Sequence, residues 1–144
     1  MRHAMAVFLV MTVALTGCMT VPAGWNDSVA DDVEVVAQAA APLWTNAVLT
    51  DTQKCLRQAG DAGAITYLTA RKVDSKGKIM DKNAALKLAC KAMQETAEFA
   101  YPAALDFGAG KLENLVRLEL KVDANDADQV LGLCLAGIRA KEDK

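Results

Sequence analysis

Side chains able to do chemistry are sparse in this chain, and their placement decides which reactions are open to it. The 144 residues hold one histidine, His3, two serines, Ser28 and Ser75, and four cysteines, Cys18, Cys55, Cys90 and Cys134. Ser75 stands near Lys72 and Lys78, but Ser75-Lys76-Gly77-Lys78 reads as a turn. A Ser–Lys nucleophile needs a buried lysine stripped of water, and a turn does not supply one. The run Asp123-Ala124-Asn125-Asp126-Ala127-Asp128 has the flavour of a calcium loop. It lacks a liganding fifth residue, a glycine at the sixth place and a glutamate at the twelfth, and capping of the following helix accounts for it better. No cysteine, histidine or carboxylate spacing suits a metal, so neither metal nor cofactor is expected. Carboxylates remain: the chain carries 18 Asp and Glu, enough to keep a carboxylate-dependent enzyme acting on peptidoglycan as the alternative to a binding function. Sugar-binding clefts favour stacked aromatics, and aromatic residues make up only 5% of this chain.

The N-terminus is more specific. Met1-Arg2-His3 is a short, weakly basic start, and Ala4 to Leu15 is an apolar run broken only by Thr12. Such a run suits the apolar stretch of a secretory leader and is too short for a bilayer, which takes roughly 20 apolar residues. Leu15-Thr16-Gly17-Cys18 then resembles a lipobox, the cleavage and lipidation signal of bacterial lipoproteins. The resemblance implies that residues 1–17 are removed and that Cys18 becomes the mature N-terminus, carrying a diacylglyceryl group and usually a third acyl chain. Each buried CH₂ contributes about 0.8 kcal/mol, so two or more chains anchor permanently. Met19 stands where many lipoproteins retained in the inner membrane carry Asp, which points to the outer membrane, facing the periplasm. His3 would leave with the leader, and with it every mechanism that needs a histidine base, nucleophile partner or metal ligand.

Residues 18–26 form the lipidated tether. Met19 to Asn26 includes Pro22 and Gly24 and has no helical period, so it reads as linker. Its eight extended residues span at most about 26–29 Å, which keeps the domain near the membrane. Residues 27–144 then make a single domain. Losing Arg2 makes the mature chain one unit more negative than the formal −2 of the whole sequence. Nucleic-acid binding needs a basic footprint and is not expected. Two local charge runs stand out: an acidic one at Asp27, Asp31, Asp32 and Glu34, and a basic one at Arg71, Lys72, Lys76, Lys78 and Lys82. A solvated face explains both; the other reading of the basic run is contact with anionic headgroups or an acidic partner.

Helices must position whatever site exists, because an alanine-rich, aromatic-poor chain favours closely packed helices over a β-sandwich. Asn26-Asp27-Ser28 offers caps for a helix whose stripe is Val29, Val33, Val36, Ala37 and Ala40. Pro42 ends or kinks it. A second pattern runs through Leu43, Ala47, Val48, Cys55, Leu56 and Ala59 and is expected to stop at Gly60. From Gly60 to Met80, alternation at Ile65, Tyr67 and Thr69 leaves a short β-hairpin open beside a helical turn and loop. Asp81 caps a helix with Leu86, Cys90, Met93 and Ala97 inside. Tyr101-Pro102 closes or bends that helix, and Gly108 and Gly110 mark a turn. Residues 111–122 fit a helical face at Leu112, Leu115, Val116 and Leu120 and a strand at Val116, Leu118, Leu120 and Val122; helix is favoured for want of a partner strand. Asn125 or Asp126 caps a last helix through Ala127, Val130, Leu131, Cys134 and Ile138.

The expectation is a mostly α domain, four or five helices bundled behind the tether. Cys55, Cys90 and Cys134 all fall on apolar stripes, and an oxidising periplasm leads one to expect a bridge. Cys90 and Cys134 lie at similar depths in their helices, about 12–14 Å at 1.5 Å per residue, which leans toward a Cys90–Cys134 disulfide. The function expected is a membrane-anchored binding or assembly factor, not an enzyme, with an envelope protein as partner. In size, class and cysteine use it resembles the pilotins, helical lipoproteins that grip a partner helix in an apolar groove; exclusion lipoproteins of phages and plasmids are similar in kind. The candidate groove lining is Leu86, Met93, Leu112, Leu115 and Leu118.

Overall fold

The computed structural model describes residues 31–100 and 111–142. Cys18, the tether, the Asn26–Ser28 caps, Val29, Tyr101-Pro102 and the Gly108 and Gly110 turn lie outside them. The described chain forms α1 (Asp31–Ala40), a 3-10 turn (Ala41–Trp44), α2 (Asp51–Ala70), α3 (Lys82–Ala100), α4 (Lys111–Leu120) and α5 (Asp126–Glu142). The mostly α bundle expected from composition is what forms, and no strand occurs among the described residues.

Local signals set most helix ends. In α1, Val33, Val36, Ala37 and Ala40 are buried, the i, i+3, i+4, i+7 stripe of one helical face. Pro42 has no N–H to continue the ladder, so the chain tightens into the 3-10 turn, with Thr45 and Asn46 N–H both donating to the Pro42 carbonyl. Two separate elements result, not one kinked helix. A capping box opens α2: the Thr50 hydroxyl accepts from Gln53 N–H, and Thr50 N–H donates to Gln53 Oε1. Each bond satisfies a donor that the first turn would otherwise leave bare. Asp81 Oδ2 accepts from Ala84 N–H at the start of α3, and Asn125 Oδ1 accepts from Asp128 N–H at the start of α5.

Three expectations are corrected. α2 does not stop at Gly60 but continues to Ala70, so Ile65, Tyr67 and Thr69 are helical and the hairpin does not form. An interior glycine costs about 1 kcal/mol of helix propensity relative to alanine. Here it permits contact: a Cβ on Gly60 would lie 2.6 Å from the Trp44 ring. Residues 71–81 are an irregular loop whose turn is closed by Asp74 N–H to Lys78 O, 2.8 Å, and Gly77 N–H to Asp74 O, 3.0 Å. Gly77 takes the left-handed φ of 78° that the turn requires. Second, the pattern expected to run as helix from Leu43 through Ala47 and Val48 is interrupted: α2 begins only at Asp51, and Val48 is 87% exposed. Third, four of the five residues expected to line a groove, Leu86, Met93, Leu112 and Leu115, are fully buried. All ten residues from Gln129 to Ile138 are buried, which makes α5 the central helix.

Packing radiates from α5. It lies against α1 on one side and α2 on another, while α2 also packs along α3. Close approach relies on glycine: a Cβ on Gly132 would fall 2.4 Å from Val36 Cβ, and one on Gly137 would fall 2.5 Å from the Gly60 carbonyl oxygen. α4 lies where α2 begins and α3 nears its end, tied by a Thr52–Glu119 hydrogen bond to the one and by Gln94 Nε2 to Glu113 Oε1, 2.5 Å, to the other. The residue after α4, Lys121, has φ 56°, a left-handed C-terminal stop. With no partner strand, the apolar face Leu112, Leu115, Val116 decides the 111–122 conflict in favour of helix.

Candidate binding face

The residues that the sequence marked for a groove are mostly core. Leu86, Met93, Leu112 and Leu115 each have 0% of their surface exposed, while Leu118 is 55% exposed. Four of the five therefore fill the interior, and they do not line an open groove with Leu118. The reason is geometric: a helical stripe shows that something covers it, and here the cover is another helix of the same chain. Cys55, Cys90 and Cys134 are buried too, on α2, α3 and α5. Burial, with the Asp51 carboxylate beside it, holds the Cys55 thiol above its ordinary range, the opposite of the depression a nucleophilic thiolate needs.

Several carboxylates have structural work. Glu34 accepts both guanidinium nitrogens of Arg139, at 2.6 and 2.7 Å, and so ties α1 to α5. Its hydrogen bond to Arg139 holds its pKa below the ordinary carboxylate value. Asp61 accepts Trp44 Nε1 at 2.7 Å and lies 3.2 Å from Lys141 Nζ, joining the 3-10 turn, α2 and α5. Asp126 pairs with Arg117. Glu113, 5% exposed, takes the Gln94 amide on one oxygen. Asp128, partly desolvated and near Asp32, is held above its ordinary pKa. The acidic 123–128 run is used for capping, through Asn125. Among the described residues no group of three His, Cys, Asp or Glu side chains is placed to hold a metal ion.

What the bundle does present outward lies along α2 and α3. Gln58 of α2 and Ala92, Glu95, Thr96 and Phe99 of α3 line a shallow depression of about 450 Å³. Phe99 is 90% exposed. Gln58, Ala62, Ile65 and Thr69 share one face of α2 at i, i+4, i+7 and i+11, and Leu88, Ala92, Glu95 and Phe99 share one face of α3 at the same spacing. Ile65 and Leu88 are 54% and 43% exposed. Two aliphatic side chains and an aromatic thus mark a surface running along the helix pair. Scattered single exposures are ordinary; here three share the face that holds the depression.

Reading for core stripes missed this face. Leu88 and Phe99 fall off the buried α3 stripe of Leu86, Cys90, Met93 and Ala97, and the surplus was itself a signal. Ile65 was concealed by the apparent strand alternation around it. Comparison of the chain with family models, with curated proteins and with solved structures gives no match.

Proposed function

We propose that this chain is a lipoprotein of the bacterial envelope that works without catalysis, as a binding or assembly factor held to the membrane by lipid on Cys18. The α2/α3 face would grip an amphipathic helix of an envelope protein, read through i, i+3, i+4 and i+7 anchors. The observation that carries the binding reading is the aligned exposed row of Ile65, Leu88 and Phe99 beside an open depression. The lipobox-like Leu15-Thr16-Gly17-Cys18 supplies the address, on the outer membrane facing the periplasm. No helix of the described residues is long and apolar enough to cross a membrane, and the attachment proposed is the acylated cysteine.

A photo-crosslinking amino acid placed at Phe99 in the full chain tests the binding reading in cells. It should give a discrete adduct, and Phe99→Ser should abolish recovery of that partner with an unchanged melting temperature. The same probe at Val35, exposed on α1, which packs on α5, should give none. Undiminished recovery with Phe99→Ser overturns the assignment of this face. The alternative, a peptidoglycan-active enzyme, would draw on Glu95, the carboxylate in the depression. Wall-fragment release that vanishes in Glu95→Gln, with partner recovery intact, would move the function there.

A further inference from the structure

The loop joining α2 to α3 combines two properties that a merely solvated turn does not need. It carries Arg71, Lys72, Lys76 and Lys78 and runs into Lys82 at the start of α3. Interleaved with them are Val73, 60% exposed, Ile79, 53%, and Met80, 39%. The loop's two acids, Asp74 and Asp81, are engaged by backbone donors. Asp74 Oδ1 accepts Lys76 N–H at 2.8 Å and Lys78 N–H at 2.9 Å, and Asp81 Oδ2 accepts Ala84 N–H. Arg71 is engaged as well, donating from Nη1 to Met80 O at 2.7 Å and so bracing the loop across its base. The ion pairs of the described residues involve Arg117, Arg139 and Lys141; none involves Lys72, Lys76, Lys78 or Lys82.

We infer that this loop is a membrane-contact element that docks on an anionic phospholipid surface. The lysines would meet headgroup phosphates while Val73, Ile79 and Met80 enter the boundary between headgroups and acyl chains. That division suits side chains of both kinds on one short, braced segment. An acidic soluble partner would account for the cations alone. The bilayer accounts for the aliphatic side chains too, and the proposed anchor on Cys18 already keeps it within reach. In that respect the inference rests on the lipoprotein reading. The loop is also placed to touch a surface: it forms the tip of the α2–α3 pair, at the opposite end from α4, which packs near Thr52 and Gln94. Tethering makes the second contact intramolecular, so a weak interaction suffices to orient the domain. Orientation would stand the α2–α3 pair on the bilayer by its tip and hold the α2/α3 face in a defined attitude.

The test places an environment-sensitive fluorophore on Ile79→Cys in the full-length, acylated protein. Cys55, Cys90 and Cys134 are buried, so labelling of the native fold goes to the introduced thiol. The protein is reconstituted into vesicles of phosphatidylcholine alone and of phosphatidylcholine with phosphatidylglycerol. A blue shift and protection from an aqueous quencher should appear on the anionic vesicles only and be reversed by salt. Each cation at an anionic surface is worth about fivefold in binding. Replacing Lys72, Lys76 and Lys78 by Gln should therefore lower the docking equilibrium roughly a hundredfold, with the circular dichroism unchanged. A label on Leu118→Cys should stay aqueous throughout. An aqueous signal from position 79 on both vesicles, or equal burial on both, overturns the inference. Failure of the anchor is a separate result: the protein would wash off the vesicles in high salt whatever the loop probe reports.

Discussion

Gly137→Ala should destabilise the domain, although alanine is the better helix former. In an unencumbered helix interior the change gains about 1 kcal/mol. Here the new Cβ would stand 2.5 Å from the carbonyl oxygen of Gly60, 3.0 Å from its carbonyl carbon and 3.2 Å from Ala64 Cβ. All three obstacles belong to α2, and two are backbone, so no rotamer change relieves them. Carbon-to-heavy-atom contacts are comfortable near 3.5 Å, so α2 and α5 must part by up to about 1 Å locally. Overpacking in a filled core costs about 1–3 kcal/mol, and a backbone obstacle places this case at the upper end. The net expectation is a loss of about 2 kcal/mol, or roughly 6–10 °C in melting temperature for a domain of this size. Gly63→Ala is the matched control. Its Cβ would meet Met93 Sδ at 2.5 Å and Cγ at 2.6 Å, the flexible part of a side chain that adapts readily, so a loss below about 1 kcal/mol is expected. Urea titration of both variants, with unchanged m values to certify the same unfolding reaction, measures the difference. If Gly137→Ala matches the parent, or if Gly63→Ala proves the costlier, the helix-contact reasoning fails.

Labelled palmitate should enter the parent protein, and Cys18→Ala should abolish both the label and retention on membranes through a salt wash; retention without label would put the anchor elsewhere. Glu34→Gln should cost about 0.5–1 kcal/mol at neutral pH, the range of a well-formed but half-exposed ion pair. Because Arg139 lowers the folded-state pKa of Glu34, that contribution is complete above the ordinary carboxylate pKa and is lost as pH falls through the depressed one. The two proteins should therefore converge in acid, and a gap that persists there would show that the loss is not electrostatic. The proposed Cys90–Cys134 bridge predicts a mass deficit of one hydrogen pair in unreduced protein and a linked peptide joining α3 to α5. Removing such a bridge typically costs about 2–5 kcal/mol, so a reductant that leaves the denaturation midpoint unmoved would argue against it.

Where a structural decision was local, it was legible in the residues concerned. The α1 stripe, the Asp81 and Asn125 caps, the Pro42 break and the helical class of the bundle each follow from neighbours within a turn or two. The failures share a cause. Gly60 reads as a stop because, along its own helix, glycine is only a weak residue. Its value appears when Gly137, far away in sequence, brings α5 against it. The 129–138 segment was legible as helix, but its burial on every side depends on α1 and α2 arriving from elsewhere in the chain. The candidate groove failed likewise: the spacing of Leu86 and Met93 shows that they must be covered, and only tertiary structure shows what covers them, as where Met93 lies against Gly63 of α2. Conversely, Phe99, Ile65 and Leu88 could be identified as surface only once every buried stripe had been assigned. By itself the sequence determined a helical class, the Pro42 break, the caps at Asp81 and Asn125 and the lipobox-like signal at Cys18, because caps, periodicity and short motifs are properties of contiguous residues. Tertiary structure alone decided which apolar residues remain outside, because burial is conferred by whichever distant segment packs against them.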